Sequence, residues 1–156
     1  MENFEPVIIS TVPTHKEIQF LDDMIYEHNV AEIKRDDGKL FSKLIYDSRE
    51  NIVAGITGWT WARACEITLF WVKHDHRNKG YGKRLLDAAE TEARNEKCKT
   101  MFLRTYSFQA PIFYLKRGYQ VEHEIKDFPH GHSSFCLIKR LEEQGRSKLY
   151  HQHKSS

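Results

Sequence analysis

At 156 residues the chain is long enough for one compact core that buries roughly two thirds of its unfolded surface. Its 24 Lys and Arg against 22 Asp and Glu leave a net charge of +2, which excludes a uniformly basic surface for nucleic acid and confines any basic patch to one place. No apolar run approaches the ~18 residues a membrane span needs, and the first residues, with Glu2 and a short apolar run at 7–9, make no signal peptide. The three cysteines, Cys65, Cys98 and Cys136, lack zinc or disulfide spacing, so the chain reads as cytoplasmic, with no metal, no nucleic-acid partner and no membrane partner.

In chain order, VIISTV at 7–12 is β-branched and predicts an opening strand closed by Pro13. Thr14 and Glu17 have capping-box spacing, and Ile18, Leu21, Met24 and Ile25 recur at helical intervals, predicting a helix to about Asn29. Asp36, Asp37 and Gly38 mark a turn before a strand over LFSKLIYD; DSREN is the next turn, and IVAGITGWTWARA is the return strand of a hairpin. Gly55 and Gly58 in that strand signal a bulge or a close backbone approach. A further strand runs from Glu66 to Val72, and a helix from Gly80 to Lys97 places Leu85, Leu86, Ala89 and Ala93 on one side. MFLRTY is a short buried strand. FQAPIFYLKRG is a short helix with Pro111 in its first turn and Gly118 as its cap, followed by strands over YQVEHEI and SFCLIKRL around the loop DFPHGHS. Residues 1–141 form one domain on this reading, and 142–156 are a polar tail whose His151 and His153 do not make a metal site.

The stretch 66–84, EITLFWVKHDHRNKGYGKR, carries the chemistry. Helices ordinarily place acids in their first turn; here Arg77, Lys79, Lys83 and Arg84 crowd the helix start, an arrangement that costs roughly 0.3–1 kcal/mol per charge unless an anion compensates. Gly80 and Gly82 leave room for that anion to approach backbone amides. A Walker A loop is excluded because Gly82-Lys83 is followed by Arg84 and not by a hydroxyl residue, and a dinucleotide fingerprint is excluded because Leu85 stands where a third glycine belongs.

Arg77-Asn78-Lys79-Gly80-Tyr81-Gly82, just after a strand, resembles the Gln/Arg-x-x-Gly-x-Gly/Ala signature of the GCN5-related N-acetyltransferases. Phe113-Tyr114 followed by Gly118-Tyr119 is similar to that family's later FYxxxGF/Y helix, so the resemblance covers about residues 40–141. It implies a mixed, mostly antiparallel, twisted α/β sheet of about six to seven strands, with helices packed on both faces and a splay between the fourth and fifth strands. It implies acetyl-CoA as co-substrate. Phe70 and Val72, with Trp71 between them, would offer main-chain groups to the pantetheine arm. The backbone amides of 77–83, contributed by Arg77, Asn78, Lys79, Gly80, Tyr81, Gly82 and Lys83, would hold the pyrophosphate. Ser107 stands where the family often carries an Asn that touches the pantetheine. Tyr114 would donate a proton to the departing thiolate, and a homodimer through the late strands fits the resemblance.

Acetyl transfer to an amine needs a neutral amine, attack on the thioester carbonyl, an oxyanion donor, for which Val72 N–H is the family-like candidate, and a proton for sulfur. Glu66 is the candidate base: on an unbroken strand it shares a face with Val72, three pleats away. A solvent-exposed strand-end carboxylate is the competing reading, and His74 and His132 are rival bases. Trp59 and Trp61 project from one face and either pack in the core or hold a cationic amine; Trp71 reads as core. His132, in the loop with Asp127 and His130, either lines an acceptor pocket or closes a turn. The chain reads as an N-acetyltransferase acting on a primary amine of a small molecule, the alternative being a non-catalytic acyl-CoA-binding module.

Overall fold

The computed structural model describes residues 12–141, so the predicted strand at 7–12 and the polar tail fall outside the described residues except for Val12. The chain divides into two compact units, Met1–Asp36 and Asp37–Ser156. In the first, α1 runs His15–Ile33, one turn longer than its sequence pattern predicts. Its start is the expected capping box: the Thr14 hydroxyl accepts from the Glu17 amide at 3.2 Å, and the Glu17 carboxylate accepts from the Thr14 amide at 2.6 Å. These bonds hold the Glu17 carboxyl below the usual carboxylate range.

The second unit holds strands β1 (Lys39–Tyr46), β2 (Ile52–Trp61), β3 (Ala64–Val72), β4 (Thr100–Tyr106), β5 (Gln120–Lys126) and β6 (Ser133–Arg140). Helix α2 (Tyr81–Asn95) lies between β3 and β4, and α3 (Pro111–Leu115) between β4 and β5. Among the described residues the sheet has six strands in the order β1-β2-β3-β4-β6-β5. Every neighbouring pair is antiparallel except β3 with β4, which makes the sheet mixed and mostly antiparallel, as the sequence implies.

One face of the sheet carries α2. Leu85, Leu86, Ala89 and Ala93 are buried there against Ala54, Ile56, Cys65, Ile67, Met101, Leu103 and Leu137, and each buried leucine contributes about 1.5–3 kcal/mol. Glu90, on the same helix and buried, accepts from Lys139 of β6 at 2.7 Å and from Arg94 at 3.3 Å, so its charge is paired where little solvent reaches it.

Two irregularities of β3 shape everything that follows. Thr57 pairs with Leu69 but Gly58 pairs with Ile67, leaving Thr68 as an extra residue, a β-bulge. Gly58 permits it: a Cβ there would stand 2.2 Å from the Glu66 carbonyl oxygen and 2.6 Å from the Phe41 ring. The second irregularity is a parting of strands. β3 and β4 pair only from Ala64 with Thr100 to Ile67 with Leu103. Beyond that point β3 stays with β2 as far as Val72 opposite Ala54, and β4 stays with β6 as far as Tyr106 opposite Ser134. The expected splay between the strand of Glu66 and the strand of Phe102 is therefore present.

Candidate active site

At the end of β3 the chain makes a 3-10 turn over His74–His76 that the sequence pattern does not signal. The Arg77 side chain folds back and donates from Nε to the Val72 carbonyl at 3.1 Å, and the His76 ring stacks on Tyr81 with centroids 6.0 Å apart. Asn78 and Gly80 both take positive φ, 58° and 82°; Asn and Gly are the residues that tolerate this conformation best. Helix α2 then starts with no side-chain cap and no acidic residue in its first turn. Among the described residues the amides of Tyr81, Gly82 and Lys83 donate to no carbonyl or side chain. Lys79, Lys83 and Arg84 are exposed around them, with Lys83 held to Asp87 at 2.6 Å. Free donors, the positive end of the helix dipole and lysine and arginine side chains together form an anion site. The space in front of Gly80 is open, with nothing within 4 Å of where its Cβ would stand, so this cradle fits a pyrophosphate.

Helix α3 brings Tyr114 to the helix-bearing face beside the parting strands. Its ring lies 6.1 Å from Phe70, 5.1 Å from Phe113 and 5.8 Å from Tyr119, and it is buried. Burial pushes its hydroxyl up to about 12, so Tyr114 stays protonated and able to donate throughout the neutral range. Phe113 links the two motifs, since a Cβ on Gly82 would touch its ring at 3.5 Å. Arg117 lies over the other side of that helix turn, its guanidinium carbon 3.8 Å from the Phe113 centroid and its Nη1 donating to the Phe113 carbonyl at 2.9 Å.

The bulge corrects one expectation. Residues opposite each other in a sheet share a face, so Val72 and Phe70 go with Ala54 and Ile56 on the helix-bearing face, while Glu66 goes with Trp59 and Phe102 on the other. Thr68 inverts the alternation, and Glu66 and Val72 do not share a face. Trp71 is a second correction: it shares the Glu66 face and is 50% exposed, not a core residue. Trp59 and Trp61 do share one face, that of Glu66, and Trp59 meets Phe102 edge-on at 6.0 Å.

Ser107 and His132, expected on the cofactor and acceptor sides respectively, are neighbours. The Ser107 hydroxyl lies 3.4 Å from His132 Nδ1 and accepts from the Ser133 amide at 3.2 Å. Asp127 accepts from the Gly131 amide at 2.6 Å and pairs with His130, which together hold its carboxyl below the usual range. Phe128-Pro129 in this loop is a cis peptide. His74 is exposed in the 3-10 turn. Sequence reasoning missed three aromatic residues that gather around His132: Tyr106, Phe108 and Phe128. The only sequence signal was their composition, because the first two are separated from the third by α3 and β5.

An uncapped basic helix start, a parted parallel strand pair and a buried tyrosine on the following helix are the parts that a site for a thioester-linked anion needs. The profile of the acetyltransferase (GNAT) family matches residues 8–119, most of the chain, and the chain belongs to that family. It is accordingly an acetyl-CoA-dependent N-acetyltransferase. It is similar to the blasticidin-S acetyltransferase of Streptomyces morookaense, 37% identical over 97 residues that make up 60% of this chain and 69% of that protein. The crystal structure of an acetyltransferase from Bacillus cereus ATCC 14579 superposes with a TM-score of 0.71 at 28% identity, covering 86% of this chain and 98% of that one. A Bacillus anthracis protein provisionally described as a streptothricin acetyltransferase, solved with acetyl coenzyme A, shares the fold with a TM-score of 0.58 at 19% identity, over 66% of this chain and 63% of that one. Among the described residues no helix is long and apolar enough to cross a membrane, and no group of three or more His, Cys, Asp or Glu side chains is placed to hold a metal ion.

Proposed function

We propose that this N-acetyltransferase acts on a primary amine of a small molecule, antibiotics such as the one in its curated relative's name among them, by direct attack in the cleft between β3 and β4. The observation that carries this reading is the division of labour across that cleft: a protonated, buried Tyr114 on one face and Glu66 on the other. Acetyl-CoA supplies the activated acetyl group. The amides of 77–83 with Lys79 and Lys83 hold its pyrophosphate, and the unpaired edge of β3 at Phe70, Trp71 and Val72 takes its pantetheine arm as an added strand. Ser107, already bonded to Ser133, contributes through the position of the His132 loop.

Glu66 takes the proton from the incoming ammonium, directly or through water, on the face where Trp59 and Phe102 flank it. The amide of Val72 stabilises the developing negative charge on the carbonyl oxygen. Tyr114 gives its proton to the departing thiolate; its displaced pKa leaves it fully protonated at neutral pH.

Free thiol release from acetyl-CoA across an amine panel tests the reading. Tyr114→Phe lowers kcat by roughly a hundredfold or more, the range for loss of a general acid, with the KM for acetyl-CoA little changed. Glu66→Gln shows a similar deficit at neutral pH that shrinks as the pH rises toward the amine's own pKa, where no base is needed. A pH-independent deficit removes Glu66 from the role of base. Thermal stabilisation by coenzyme A with no thiol release on any amine returns the chain to a binding module.

A further inference from the structure

At the far end of the cleft, four rings from two separate segments converge. Tyr106, the last residue of β4, stacks on Phe108 with centroids 5.3 Å apart and planes 8° from parallel. Phe128 stands edge-on to Tyr106 at 6.0 Å, and His132 stands edge-on to Phe108 at 4.8 Å. The stacked pair makes a floor and the two edge-on rings make walls. Phe108 is 56% exposed and Phe128 46% exposed, so these rings serve no core.

Backbone and side-chain bonds nevertheless hold them in place. Gln109 Oε1 accepts from the Tyr106 amide at 3.0 Å and from the Thr105 hydroxyl at 3.1 Å, fixing the turn that carries Phe108. The Phe128 amide donates to the His132 carbonyl at 3.0 Å, and the His132 amide donates to the Pro129 carbonyl at 2.8 Å. Exposed aromatic surface held this rigidly is pre-organised for a ligand and loses little entropy on binding one.

The position of the slot names that ligand. Tyr106 shares its sheet face with Arg104, Phe102 and, through β3, Glu66. Same-face residues along a strand are ~7 Å apart, so a group in the slot lies one or two such steps from any acetyl donor lying between the parted strands. Asp127, next in the chain to Phe128, keeps a carboxylate near the slot, bonded to the Gly131 amide, which suits a positively charged molecule. Ring faces and edges recognise another planar π-system.

We propose that Tyr106, Phe108, Phe128 and His132 form the acceptor-specificity slot, and that the acceptor class is a primary amine joined by a short linker to a planar unsaturated ring. This deepens the amine-acetyltransferase reading and rests on it. The slot binds the ring and presents the amine toward Glu66. Phe108 and Phe128, both exposed, set the preference.

Phenylbutylamine and cyclohexylbutylamine, equal in linker and close in size and basicity, differ in the π face and so test the slot. The wild-type enzyme acetylates the phenyl compound with a kcat/KM about fivefold higher, within the range for one or two aromatic contacts. In Phe108→Leu and Phe128→Leu, measured separately, that ratio falls toward one. Equal rates for the two amines in the wild type overturn the proposal, as does a ratio that both variants leave intact, which marks the rings as scaffold. Turnover of other amines with neither of these two accepted also overturns it. No turnover of any amine, by contrast, defeats the underlying reading of the chain as an amine acetyltransferase, and the slot's assignment with it.

Discussion

Thr14 opens α1 with its hydroxyl on the Glu17 amide and takes the Glu17 carboxylate in return, an acid in the first turn where the helix dipole favours it. Gly80 opens α2 in the left-handed conformation with no side-chain cap, no acid in the first turn, and Lys79, Lys83 and Arg84 around it. One helix caps its own first turn; the other leaves its first amides without a partner, as the proposed pyrophosphate cradle requires. The difference teaches where stability has been given up for binding, since both ends obey the same electrostatics with opposite residues.

Three substitutions probe that contrast, in decreasing order of effect. Gly82→Val drives methyl groups toward the Phe113 and Phe70 rings, already 3.5 and 3.7 Å from a Cβ there, and crowds the free amides. Steady-state kinetics then give an acetyl-CoA KM raised roughly tenfold or more, the equivalent of losing a hydrogen bond to a charged group. Arg84→Glu gives α2 the acid it lacks. The acetyl-CoA KM rises several-fold while thermal melting without ligand shows a helix steadier by ~0.3–1 kcal/mol; a loss of both affinity and stability breaks the contrast. Thr14→Ala removes the α1 cap and costs ~1 kcal/mol in denaturant melts, with the acetyl-CoA KM unchanged.

Much of this was legible in the sequence because it is local. Capping residues, the glycines and basic charges of 77–84, Pro111 at the start of α3 and the hydrophobic periods of α2 act over a few residues, and the structure places each as expected. Glu66 shows where locality ends. A strict two-residue alternation puts it with Val72, and only the pairing of β3 with β2 reveals that Thr68 is surplus. Gly58 was read as marking a bulge or close approach, but not which strand bears the extra residue. The aromatic slot was illegible for another reason: its rings come from either side of α3 and β5 and meet only through the pairing of β4 with β6 and β6 with β5. Trp71 misled because aromatic residues on a central strand ordinarily pack inward, and here the opposing residue is Gly55, which offers it no side chain.

The surplus residue in β3 also sets how this enzyme can change over generations. Point substitutions along the strand alter one side chain at a time and leave Glu66 and Val72 on opposite faces of the sheet. Loss of Thr68 would straighten β3 yet keep Gly58 opposite Ile67 and Thr57 opposite Leu69, so Glu66 would stay on the face away from Val72. Drawing Thr68 into the regular alternation would instead carry Glu66 across the sheet, so the register of β3 fixes its side. The loop of Phe128 and His132 lies outside that constraint. On the proposed reading, acceptor preference can change there while the residues at the start of α2 stay fixed.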